Sequence, residues 1–131
     1  MIQIDKLLST AIKREAEDIV LTVGRPPMLR LNGALEPLAT QTLTSEDTTG
    51  LVKSIASERY QQELQEMGSD DFGFNFQDKA AFRVGAFRQQ GRIAIVLRMI
   101  PSKIRTFSEL GLGPVVQELL FRPRGLVLVT G

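Results

Sequence analysis

A chain of 131 residues with no Cys, no His and no Trp is long enough for one domain that buries about two-thirds of its unfolded surface. It offers no disulfide, no thiolate nucleophile, no imidazole base and few ligands for structural zinc. Its 16 basic and 15 acidic residues leave a formal net charge of +1, which gives no electrostatic reason to expect nucleic acid or an anionic membrane surface.

The opening stretch, Met1 to Ala16, is amphipathic. Ile4, Leu7, Leu8, Ala11 and Ile12 recur at helical spacing, with Asp5 early and Lys13 and Arg14 late, as the helix dipole favours. Its charges argue against a signal peptide, and no apolar run in the chain approaches the ~20 residues of a membrane span. A cytoplasmic protein without membrane insertion is expected. Asp18 to Val23 then reads as a strand, and Gly24-Arg25-Pro26-Pro27 breaks it. Met28 to Leu31 resumes as a second strand, turns at Asn32-Gly33 and returns through Ala34 to Glu36, with Pro37 restricting that strand to an edge.

Thr44 is placed to cap a second helix, with Asp47 three residues on as an imperfect capping-box partner, Asp standing where Glu or Gln is usual, and Leu51, Val52 and Ile55 turned inward. Ser57 caps a third helix with Tyr60, Leu64 and Met67 along one stripe, and Gly68 stops it. Phe72, Phe74 and Phe76 alternate with small or polar residues, which predicts a strand with an aromatic core face. Asp70 and Asp71 are neighbours on that strand, so their side chains point to opposite faces and do not share a proton.

Ala81 to Ile100 reads as a hairpin around Gln90-Gly91. Pairing Phe82, Val84 and Ala86 with Ile95, Leu97 and Met99 on one face requires an even-numbered loop, since a slip by one residue would carry charge into the core. That register sets Arg83 directly opposite Arg98 on the outer face. Like charges so placed repel. Either both point into water, where screening weakens the repulsion, or an anion such as a carboxylate or phosphate lies between two always-ionised, fork-shaped groups. Strands grouped together with helices on one side predict an α+β domain whose second sheet face is open.

The chain changes character after Ile100. Pro101 to Thr106 has no period and reads as a linker, and Gly113-Pro114 opens a short helix carrying Val115, Val116, Leu119 and Leu120. Leu126 to Val129 lacks polar alternation and predicts a strand buried on both faces of a parallel sheet, whose neighbours this sequence does not supply. The sequence therefore reads as cut where such a strand gives way to a loop.

The segments PPMLRLNG (26–33), AFRVGAF (81–87), LRMIPSKI (97–104) and ELGLGPVVQELLFRPRGLVLVTG (109–131) resemble the PilT family of secretion-type motor ATPases, in register over essentially the whole chain. The resemblance implies a PAS-like N-terminal domain over 1–100, an interdomain linker over 101–113, and the opening helix and strand of a RecA-like ATPase domain over 114–131. Gly131 would be the first glycine of the Walker A loop. It further implies a homohexamer at the cytoplasmic face of the inner membrane, working on a pilus platform protein and using ATP and Mg²⁺ held by the whole protein. No metal site, catalytic residue or bound cofactor is expected within these 131 residues.

By motif, Arg83 and Arg98 match family arginines that close over the terminal phosphate of the nucleotide. Arg88 and Arg92, which flank the hairpin loop, are further candidates, Arg88 for nucleotide binding as is Gly131 through the Walker A loop. Arg25, Arg30 and Arg105 are left to solvent or subunit contacts. The chain departs from the family where relatives carry a His in the first strand: here EDIVL puts Val20 in that place. The hairpin turn also reads QQG where relatives have longer or Asn-rich turns. Because the sequence opens straight into the first helix, retraction is expected over pilus extension or type II secretion. A free-standing PAS-like binding or sensor module is the rival of another class.

Overall fold

The computed structural model describes residues 2–131; Met1, the first residue of the amphipathic opening stretch, lies outside them. Helix α1 (Ile4–Lys13) buries Leu7, Leu8 and Ala11. Strand β1 (Asp18–Leu21) follows, and then the hairpin of β2 (Met28–Leu31) and β3 (Ala34–Pro37). Asn32 and Gly33 turn that hairpin with φ of 50° and 82°, the left-handed pair that a two-residue turn needs to match strand twist. Thr44 caps α2 (Ser45–Ile55) with both halves of the capping box formed with Asp47. Gly68, at φ 79°, ends α3 (Glu58–Met67) in the left-handed conformation that a residue without Cβ adopts freely.

Three long antiparallel strands complete the sheet: β4 (Ser69–Phe76), β5 (Ala80–Gln89) and β6 (Arg92–Ile100). The spatial order is β3-β2-β1-β6-β5-β4, so the short first strand is drawn into the middle of the sheet against the last one. Phe82 pairs with Met99, Val84 with Leu97 and Arg83 with Arg98, the register that alternation and a two-residue turn dictate. Pro37 lies on an edge strand, where its missing N–H breaks no ladder.

One sheet face is apolar and covered. Helix α2 packs on β6 and α3 on β4 and β5, enclosing a core that includes Leu8, Ile19, Leu21, Leu29, Phe82 and Ile95. Tyr60 stacks on Phe72 with ring centroids 4.8 Å apart, which locks α3 to the edge strand. Truncating the fully buried Phe82 to Ala would cost about 3–5 kcal/mol, enough to threaten a domain of ordinary stability.

Beyond Ile100 apolar side chains become exposed. Among the described residues, only Leu35, Met67 and Phe87 of the exposed large apolar side chains precede Ile100; twelve others run from Ile100 to Val129. Helix α4 (Pro114–Leu119) forms with Pro at its start. The strand expected at Leu126–Val129 does not form: the segment joins no sheet and is 59–95% exposed. A strand needs neighbours for its backbone groups and its apolar faces, and the sheet already ends at β3 and β4 without reaching it.

Candidate functional site

Opposite the helices, the outward-facing residues form a charged row straight across the sheet. Arg30 on β2 pairs with Asp18 on β1, Asp18 with Arg98 on β6, and Arg98 with Arg83 on β5. The four side chains share a face because each occupies the alternate position to a core residue: Leu29, Ile19, Leu97 and Phe82 or Val84 all point the other way.

Asp18 is the acid of the row and it is nearly buried, its side chain 10% exposed. One carboxylate oxygen accepts the Nε–H of Arg30 at 3.0 Å and the other that of Arg98 at 3.2 Å. Burial of an ionised carboxylate is costly unless it is paired and hydrogen-bonded, and the two guanidinium groups meet that need. Arg98 is paired without being buried, since 73% of its side chain is exposed. Arg83 is exposed and makes no side-chain hydrogen bond or ion pair among the described residues. Asp18 lies on the far side of Arg98 from Arg83, so it neutralises part of the Arg98 charge without separating the two arginines.

The other candidates do not join this row. Arg88 occupies the same every-second-residue face of β5 as Phe82, Val84 and Ala86, the helix-covered side, where it lines a shallow cleft with Thr49, Lys53 and Gln61. Strand parity therefore separates it from Arg83 and Arg98. Arg92 shares their face but lies at the turn end of β6. Gly131 is exposed and belongs to no element. Arg30, assigned to solvent or subunit contacts by its sequence setting, is instead tied to Asp18 within the chain. Asp18 itself escaped sequence reasoning, and its one signal is a carboxylate heading an apolar strand.

Below the row lies a cleft of about 990 Å³ between the sheet and the segment after Ile100, where Lys103, Arg105 and Glu109 join Asp18, Arg30 and Arg98. Across the sheet, Asp70 and Asp71 point to opposite faces. Burial pushes the Asp70 carboxyl above the usual range, offset in part by the backbone N–H of Asp71, and nearby Glu63 adds to the rise. Among the described residues no group of three or more His, Cys, Asp or Glu comes together to hold a metal. Exposed guanidinium forks on one face do fit a phosphate, whose oxygens accept paired N–H donors.

No family model matches the chain. It is 38% identical over 128 residues to the type IV pilus retraction ATPase PilT of Pseudomonas aeruginosa, covering 98% of this chain and 37% of that protein. The chain belongs to the PilT family. The pilus ATPase PilU of the same organism is 30% identical over 129 residues, covering 98% of this chain and 34% of its own length. A crystal structure of the pilus retraction motor PilT with bound ADP superposes with a TM-score of 0.78 at 39% identity, over 93% of this chain and 36% of that one. The chain thus spans about a third of the length of the PilT-family relatives it matches. Its α+β sheet is the N-terminal fold of PilT-type ATPases. No helix among the described residues is long and apolar enough to cross a membrane.

Proposed function

We propose that this chain is the N-terminal domain of a hexameric ATPase that drives type IV pilus retraction, and that Arg83 and Arg98 close over the terminal phosphate of bound ATP. The observation that carries the reading is the pair itself: two guanidinium groups directly opposed on an uncovered sheet face, in a chain 38% identical to a retraction ATPase. Like charges so placed cost stability in the free domain. A multiply charged phosphate turns that cost into charge-assisted hydrogen bonding. ATP with Mg²⁺ would supply the cleavable phosphoanhydride, held by the motor domain that residues 101–113 would join to this one.

In that setting the sheet acts as a lid and lever. Its arginines reach the phosphate only on closure, so their binding energy favours the closed state and is converted into movement. The work would be delivered to a pilus platform protein at the cytoplasmic face of the inner membrane. An arginine delivered this way accelerates phosphoryl transfer about 10³-fold or more in other systems. The test is ATP turnover by the complete ATPase carrying Arg83→Ala or Arg98→Ala. Each variant is expected to fold and assemble normally and to lose about tenfold or more in rate; wild-type turnover in both refutes the reading.

A further inference from the structure

We infer that Asp18 and Arg30 are positioning residues for Arg98, holding its guanidinium by Nε so that both outer nitrogens remain free for a phosphate oxygen. The inference rests on the reading above, in which Arg98 meets the nucleotide.

The connections run in one direction. Asn32 and Gly33 fix the β2–β3 turn in its left-handed conformation, and the Gly33 carbonyl accepts Nη1–H of Arg30 at 3.2 Å. Arg30 is thereby held at two points, because its Nε–H also bonds the Asp18 carboxylate. Asp18, the one acid among the described residues that is buried as a whole residue, has its second oxygen directed at Nε of Arg98. Neither Nη of Arg98 has a partner among the described residues.

This is the arrangement that positioning requires. A long side chain with no anchor loses rotamer freedom when it meets a ligand, whereas one already fixed loses less. Nε anchoring also leaves the end-on fork, Nη1 and Nη2, pointing outward as the pair that grips a phosphate. Arg83 has no such anchor among the described residues, so the two arginines are unequal: Arg98 is set in advance, and Arg83 orders on contact. Because Asp18 touches Arg98 and not the ligand, its removal disturbs geometry rather than uniform binding.

Steady-state kinetics of the complete ATPase provide the test. Asp18→Asn keeps the side-chain shape but removes the charge, and is expected to lower kcat about tenfold with KM for ATP within about threefold. Arg30→Gln is expected to give a smaller loss in the same direction. Asp18→Asn added to Arg98→Ala is expected to slow the enzyme no further, since the two act through one group. Wild-type kcat in Asp18→Asn alongside a slow Arg98→Ala overturns the positioning role and leaves the reading of Arg98 standing. Independent, multiplicative losses also overturn it. Wild-type kcat in Arg98→Ala overturns both. Should Asp18→Asn fail to fold, proton exchange in the wild-type 131-residue chain decides: slower exchange at Arg98 Nε–H than at Arg83 Nε–H supports the anchor, and equal exchange overturns it.

Discussion

Asp18 accepts a hydrogen bond from Arg98 at 3.2 Å across 80 residues of sequence. The contact joins the first strand to the last and divides the open face into two unlike halves. On one side of Arg98 lies a satisfied ion pair, and on the other lies Arg83, facing it with no carboxylate between them.

That asymmetry predicts a trade between stability and activity. Arg83→Gln removes a like-charge opposition and no partner among the described residues, so the 131-residue chain should gain a few tenths of a kcal/mol, about 0.2–1 at most. The gain should shrink as salt rises, because both groups are exposed and screened. Urea midpoints at low and high ionic strength measure it; destabilisation at low salt would mean that Arg83 already has a favourable partner.

Two acids should respond to pH in opposite directions. The backbone N–H and hydroxyl of Thr44 hold the Asp47 carboxyl below its usual range. Its contribution is therefore present above the unfolded-state value and is lost as pH falls through the folded one. Asp70 is shifted upward, chiefly by burial, and its Oδ2 is buried with no hydrogen-bond partner among the described residues. The folded state then holds the extra proton, so this site favours folding at pH below the unfolded-state value and loses that contribution as pH rises through the folded one. Asp70→Asn should raise the urea midpoint at pH 7 relative to wild type, with the advantage vanishing in acid. Thr44→Ala should cost about 1 kcal/mol at pH 7.

Local chemistry explains which features the sequence made legible. The Arg83–Arg98 opposition could be read because turn length and alternation fix a hairpin register within twenty residues. The Thr44 capping box and the Asn32-Gly33 turn are likewise decided by neighbours. Asp18 and Arg30 could not be assigned, because pairing of β1 with β6 depends on distant strands and no local pattern reports it. Leu126–Val129 failed for a related reason. Its apolar run states a preference for burial, but only partners can convert that preference into a strand.

The chain by itself should bind ATP very weakly. Hydrogen bonds to charged groups are worth about 1.5–3 kcal/mol each, and two exposed arginines supply few of them before the entropy of association is subtracted. A dissociation constant near or above about 1 mM follows, since that value corresponds to only 4.1 kcal/mol. Calorimetric titration that returned micromolar affinity would place a nucleotide pocket within these residues and displace the lid reading.

The exposed apolar run from Leu126 to Val129 should drive association between copies of this chain. Its four side chains are 83, 59, 76 and 95% exposed, and their backbone groups lie in no sheet, so a second copy can satisfy both needs by pairing alongside. Light scattering at rising concentration should show species larger than a monomer. Leu128→Asp or Val127→Asp should reduce association by placing charge in the new pairing, while leaving the thermal transition of the six-stranded domain within about 0.5 kcal/mol of wild type. A chain that stays monomeric at high concentration, with both substitutions silent, would show that the run does not act as an adhesive edge.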